Sequence, residues 1–448
     1  MLYINLWISH KDAYMVEIRP FRATILNPEL AIEKLVCPVY DTIDAVAYER
    51  FARESNNIIH ATSRRKDMER DEFIEHAKKN LERLGLSGIL VEREIPALYI
   101  YGIMFTLTPE VLAQLPEKAR QNQYFAFGLV CLVKVEDLGK GNIVGHEKIF
   151  EINTKERYRL MKAAMMNFSP IAAEYSLPCH ALNNLFEEYL GFKRPHFVPD
   201  PGKPPLVDVT LNGSRHLLWE VTDNDIIDKV MKMVSCLKIL ILDGHHRYTA
   251  SNMMRKIDGI EYTMMMLIEG GDRALLLLPW HRAVRNFSAE NLESRIKKKF
   301  SIDWEGGGGE EFYSNLRERR SEFDVKLGMY DGEKYQIIRG DEKDVKELSE
   351  KHGEIVGLDL IALHDWLINP VIRGKPEDDV SFNASPNEAV ARVDSGEFDI
   401  AFLLNPFSIK DVEKKAFVER RNFPQKSTLF LPKVAEGIVM RRIDKLQK

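Results

Sequence analysis

Cysteine is scarce in this chain of 448 residues, and its four copies, Cys37, Cys131, Cys179 and Cys236, stand far apart with no C-x-x-C pair. That spacing excludes a zinc ribbon and a disulfide framework, and it reads as reduced, mostly buried thiols in a cytoplasmic protein. An excess of positive charge is also missing. Against 63 Lys and Arg stand 68 Asp and Glu, a net charge of −5, so the general basic field of a nucleic-acid-coating protein is absent and nucleic acid is not an expected partner. Long apolar runs are lacking too. The longest, such as 274–280 and 401–404, are far too short to cross a bilayer, and no membrane association is expected. The N-terminal apolar stretch has no basic leader, which argues against a signal peptide. No H-E-x-x-H, G-x-S-x-G or G-x-G-x-x-G pattern falls at a useful position, so zinc protease, serine hydrolase and dinucleotide oxidoreductase lose ground. The glycine run 306–309 is followed by Glu310-Glu311, not by the Lys-Ser/Thr of a phosphate loop.

What is present is an alternation of strand and helix patterns. At about 150 residues per domain the length implies two or three domains. Residues 16–19 read as a strand, and Asp41 as the cap of a helix through 55. Residues 67–84 form a stronger amphipathic helix ended by Gly85. Strands are expected at 97–105, 124–135, 217–221, 237–242, 262–268, 274–279 and 399–404. Helices are expected at 154–167, 223–234, 249–256, 344–352, 357–368 and 386–394. A hairpin at 326–338 turns on Asp331-Gly332. The class is α/β, with α+β left open. The expected division is an extension or misplaced start at 1–15, an N-terminal region at 16–205 closed by a proline-rich linker (191–205), a core at 206–300, and a C-terminal α/β region at 311–448 after the break "WEGGGGEEF".

The stretch "ILDGHHRYTA" (241–250) concentrates the chemistry. An apolar strand, a glycine turn and a helix make an anion site, because the first helical N–H groups are unpaired and the helix dipole is positive there. Gly244 permits a sharp turn and close ligand approach. His245, His246 and Arg247 supply donors, and Arg247 can hold two phosphate oxygens at once. Asp243 would repel a phosphate, unless a divalent cation lies between them or it accepts a proton from a substrate hydroxyl. The competing reading is an ordinary Asp-Gly turn with locally bonded histidines.

"DGHHRYTA" resembles the DGHHRY signature of a large prokaryotic family, the domain-of-unknown-function family numbered one thousand and fifteen. "VEIRPFRATILNPE" (16–29), "GHEKIFEINTKER" (145–157), "LLWEVTD" (217–223), "LPWHRAV" (278–284) and "PQKSTLFLPK" (424–433) resemble further blocks of that family, in its order. The turn also resembles those of the wider ParB/sulfiredoxin-like superfamily. There sulfiredoxins hold ATP phosphates, ParB proteins hold CTP, and an archaeal free-serine kinase uses ADP. The resemblance implies a core built from 16–35 and 206–270 with a long insertion between. His245 stands where sulfiredoxins have cysteine, so sulfinic-acid reduction is not expected. The stretch HATSRRKD (60–67) departs from the family pattern, which is apolar and proline-containing there. If those positions touch substrate, the substrate differs in this member.

Other clusters admit more than one reading. Glu147 reads as base or magnesium ligand and Lys148 as a phosphate neutraliser, against a charged surface loop. Lys426, Ser427 and Thr428 read more readily as a strand entry than as a site. His281 and Arg282 follow a strand end, a candidate position at the rim of a sheet, though a lone histidine there reads more readily as structural, and His364 and Asp365 read as structural. The leading expectation is a nucleotide-binding enzyme that transfers or hydrolyses a phosphoryl group. In it Gly244, His245, His246, Arg247 and Lys148 hold phosphates, Asp243 and Glu147 hold Mg²⁺, and Asp243, Glu147 or Asp41 takes the proton of a small hydroxyl-bearing substrate. The nucleotide is ATP, ADP or CTP. The alternatives are a ParB-like nucleotide switch that acts on a partner or DNA, and an inactive scaffold.

Overall fold

The computed structural model describes residues 15–149, 151–193, 203–354, 356–424 and 426–443. The N-terminal extension, residues 194–202 of the proline-rich linker and the last basic residues, 444–448, lie outside this description.

Nine strands form the first sheet: β1 (Ile18–Arg19), β2 (Leu98–Phe105), β3 (Tyr124–Lys134), β4 (Ile143–Val144), β5 (Ile171–Tyr175), β6 (Val207–Leu211), β7 (Ser214–Val221), β8 (Ile239–Asp243) and β9 (Tyr262–Glu269). Their order is β6-β7-β2-β3-β9-β5-β8-β4, with β1 against β3. The sheet is mixed: β9 runs parallel to β5 but antiparallel to β3, and β8 runs antiparallel to β5. Central strands are apolar on both faces because both faces are covered. Leu98, Ile100 and Met104 enter one core, while Tyr99, Tyr101 and Ile103 enter the other, the alternation that a pleated strand imposes. The helices that matter below are α1 (Ala45–Ala52), α2 (Arg70–Leu86), α3 (Glu151–Ala164), α4 (Asn224–Val234) and α5 (His245–Asp258). Asp223 caps α4 through the Asp225 and Ile226 amides.

A second sheet, β10 (His281–Val284), β11 (Phe300–Gly306), β12 (Lys326–Tyr330), β13 (Tyr335–Gly340), β14 (Val380–Asn383) and β15 (Ile400–Leu403), has the order β11-β13-β12-β15-β10-β14. The chain then returns to the first sheet's neighbourhood. Thr428–Leu431 pairs with Leu276–Pro279, Ala435–Glu436 with Cys37–Pro38, and Met440–Arg442 with Ala23–Leu26 and Met166–Asn167.

The mixed helix and strand content is the α/β class expected. Several local expectations need correction. Asp41 does not cap a helix: it sits in a single 3₁₀ turn (Tyr40–Thr42), and Asp44 caps α1 by accepting from the Ala47 amide at 2.7 Å. Gly85 lies inside α2, and Gly88 takes the left-handed turn with φ +67°. Residues 36–205 contribute β2, β3, β4 and β5 to the same sheet as β6–β9. The glycine run joins β11 to the next helix inside the second sheet's lobe, so that lobe already begins with β10. Of the four thiols, Cys37 and Cys131 are buried, and Cys179 and Cys236 are exposed.

Candidate functional site

The chain leaves β8 at Asp243, turns at Gly244 and starts α5 at His245. Gly244 has φ +92°, and a Cβ there would meet Arg247 Nε and Nη2 at 2.9 Å each. L side chains resist that backbone conformation. The residue type is thus fixed by backbone and by packing. Around this turn lies a cavity of about 550 Å³, lined among others by Asp41, Glu147, Lys148, Asp243, Gly244, His245 and His246. Four separate stretches of chain supply its wall: 40–70, 147–157, 242–246 and 426–433, with Trp280 beside them. Seven Lys and Arg side chains line it against five Asp and Glu, a local positive balance in a chain of net charge −5.

Arg247 does not line this cavity. Its Nη1 donates to Ser169 Oγ (2.7 Å) and the Pro170 carbonyl (2.9 Å), and its Nη2 to Asp243 Oδ2 (3.0 Å). The other Asp243 oxygen accepts from Lys433 Nζ at 2.9 Å. Burial alone would raise the Asp243 carboxyl, but Lys433 and Arg247 outweigh it and hold the group well below the usual carboxylate value. With each oxygen in an ion pair and its proton affinity depressed, Asp243 is a poor proton acceptor. Arg247 anchors the turn through its bonds to Ser169, Pro170 and Asp243.

The two histidines differ. His245 Nε2 accepts the His146 N–H at 3.2 Å, which leaves Nδ1 as its donor. Burial, reinforced by His146, keeps its imidazole well below the ordinary value and so neutral. His146 is fully buried and bonds the Ile241 carbonyl and Thr428 Oγ1, each at 2.8 Å. His246 is half-buried, with Nδ1 3.1 Å from Thr154 Oγ1. Burial lowers it, Asp41 and Glu147 push back, and Arg157 and Lys426 side with burial.

Glu147 Oε1 accepts from the Ser427 amide (3.2 Å), the Thr428 amide (3.0 Å) and Thr428 Oγ1 (2.7 Å). Among the described residues its Oε2 has no hydrogen-bond partner. Lys148 is held by its backbone, donating to the Phe423 carbonyl at 3.0 Å, with an exposed side chain. Lys426 lies over the Trp280 ring, 4.6 Å from its centroid. Behind them Arg282 is fully buried and donates to the Trp280 and Lys426 carbonyls. Burial pushes it down to about 9.

The chain matches the family model described as "Protein of unknown function (DUF1015)" over residues 18–360. It belongs to that family. Among solved structures, this DUF1015 protein is similar to a conserved hypothetical protein from Pyrococcus furiosus (14% identity, 65% of this chain and 87% of that one, TM-score 0.31). It is similar also to a free serine kinase in complex with AMP (14%, 65% and 84%, TM-score 0.32) and to SbnI with C-terminal truncation from Staphylococcus aureus (13%, 68% and 85%, TM-score 0.36). No curated protein matches it. Among the described residues of the DUF1015 chain, no helix is long and apolar enough to cross a membrane.

Sequence reasoning missed Lys433, Trp280 and Tyr40 as parts of this DUF1015 site and underrated Lys426 and Thr428. Nothing local marks Lys433. Its role arises only because the returning tail brings it to Asp243, a contact 190 residues apart.

Proposed function

We propose that this protein binds a nucleotide with its phosphates against the N-terminus of α5 and transfers a phosphoryl group to a small hydroxyl-bearing acceptor or to water. The observation that carries this reading is the cavity at Gly244, His245 and His246, flanked by Lys426 and Lys433. The first N–H groups of α5 have no intrahelical acceptor, and the helix dipole adds positive potential where phosphate oxygens would sit. His246, Lys426 and Lys148 supply further donors. Arg247 and Asp243 lock the turn, so that little reorganisation accompanies binding.

The acceptor oxygen attacks the terminal phosphorus as the bond to the leaving nucleotide oxygen breaks. Its proton passes to Glu147 Oε2 or to Asp41, which also lines the cavity. The described residues hold no cluster of three or more potential metal ligands. A Mg²⁺ ion bound to a nucleotide needs only one or two carboxylates beside phosphates and water. Glu147 and Asp41 fit that need, while Asp243 is already paired with Lys433 and Arg247. When bound, the ion would supply charge neutralisation on the phosphates.

Thermal-shift and calorimetric titrations with ATP, ADP, CTP and GTP, with and without Mg²⁺, test the reading. A nucleotide that binds the native state raises the melting temperature by mass action. Lys426→Ala, at a half-buried position, should weaken binding by about tenfold or more, the loss of one charge-assisted contact. Absence of binding by all four would defeat the proposal, and binding without turnover would leave a nucleotide switch.

A further inference from the structure

The cavity has a second basic wall, away from the α5 turn. There Glu156 is approached by three guanidinium groups: Arg157 Nη2 at 2.9 Å, Arg70 Nε at 3.0 Å and Arg64 Nε at 3.3 Å. One carboxylate cannot neutralise three cations. Beside them Lys66 lines the same cavity and has no ionic or hydrogen-bond partner among the described residues. Three polar atoms of this wall, Ser63 Oγ, Arg70 Nε and Arg157 Nε, are buried without a hydrogen-bond partner among the described residues. Arg70 Nε is close to Glu156 but is not aimed at it. Such atoms can take an incoming acceptor. Arg70 is also the first residue of α2, whose cap Glu69 makes no side-chain bond to the helix.

We infer that this wall is a subsite for an anionic group carried by the acceptor, so that the hydroxyl compound bears a phosphate or a carboxylate. The acceptor's role rests on the phosphoryl-transfer reading above; the anion subsite itself does not. Arg64 and Lys66 make the contacts that select the substrate. Arg157 is a positioning residue, fixed by the Thr62 carbonyl at 2.8 Å and stacked over the Tyr40 ring at 4.0 Å.

The test is calorimetry on the full chain with inorganic phosphate, malonate and uncharged glycerol, each with and without saturating nucleotide. Wild type should bind phosphate or malonate but not glycerol, and should keep that anion when nucleotide is present. Phosphate marks a phosphate-bearing acceptor and malonate a carboxylate-bearing one. The double variant Arg64→Gln/Lys66→Gln changes one half-buried and one exposed side chain, and an unchanged melting temperature shows that it folds. It should lose at least tenfold in anion affinity while nucleotide affinity stays within threefold. If the variant loses nucleotide instead, or nucleotide displaces the anion, the wall belongs to the donor and the inference falls while nucleotide binding stands. If neither anion binds wild type, the inference also falls. If anion binding behaves as stated but no nucleotide binds, the subsite stands and the phosphoryl-transfer reading fails.

Discussion

Replacing Gly244 by alanine separates two effects that its geometry combines. At φ +92° any L residue bears left-handed strain of about 1–2 kcal/mol. In addition the new Cβ would stand 2.9 Å from Arg247 Nε and Nη2, so the guanidinium must shift and its bonds to Ser169, Pro170 or Asp243 are strained. Losing one such charge-assisted bond costs about 1.5–3 kcal/mol. Gly259 ends the same helix at φ +73°, and no atom lies within 4 Å of the place a Cβ would take there, so Gly259→Ala carries the backbone strain alone. Equilibrium urea unfolding of both variants, followed by tryptophan fluorescence, should show Gly244→Ala the less stable by about 1.5–3 kcal/mol. Hydrogen exchange over 243–248 should speed up in that variant only. Equal destabilisation of the two would refute the claim that Arg247 anchors the turn.

Acid should weaken the fold through its buried histidines. His281 is pushed down to about 3 by burial with Arg282 adding, His216 to about 4 by burial, and His364 to about 4 by burial and Arg282. Each folded value is lowered, so the unfolded chain binds more protons. Stability is therefore present above about pH 6.5 and lost as pH falls, by about 1.4 kcal/mol per histidine at pH 5.5. A melting temperature that does not drop between pH 7 and 5.5 would contradict this. Lys433→Ala leaves Asp243 with Arg247 alone and should cost about 1.5–3 kcal/mol, with faster exchange over 426–440; unchanged stability would show that the tail is held by its strand pairs only. Glu147→Gln keeps an Oε1 acceptor for Thr428 and should fold normally. Under the proposed function it should lose the Mg²⁺-dependent part of nucleotide affinity and about 100-fold or more in turnover, and full turnover would remove Glu147 from the chemistry.

The sequence carried the local signals well. The apolar runs 97–105 and 124–135 became buried central strands, and the Asp331-Gly332 hairpin and the Asp223-capped helix formed where patterning put them. The strand–glycine–helix unit at 239–258 was legible because glycine and helix periodicity act over a few residues. Pairings across distance were not legible. Nothing in "DGHHR" says that its arginine turns inward to Ser169, and nothing near Lys433 points to Asp243. Asp41 and Asp44 are equivalent as caps on paper, and only the 3₁₀ turn at Tyr40 decides between them. The glycine run looked like a domain break because composition does not record that β11 pairs with β13 across it. The departure at 60–67 was informative, since Ser63, Arg64 and Lys66 stand on the cavity wall.

The closing wall of the cavity, residues 426–433, reaches it only after the chain has laid down the whole second sheet. A nascent chain with all nine strands of the first sheet in place still has Asp243 without its lysine and Glu147 without the Thr428 hydroxyl. The contacts of Lys433 with Asp243 and of Thr428 with Glu147 therefore form only after residues 426–433 have been made. Termination anywhere between 300 and 426 removes Lys426 and Lys433, and with them the positive balance of the cavity.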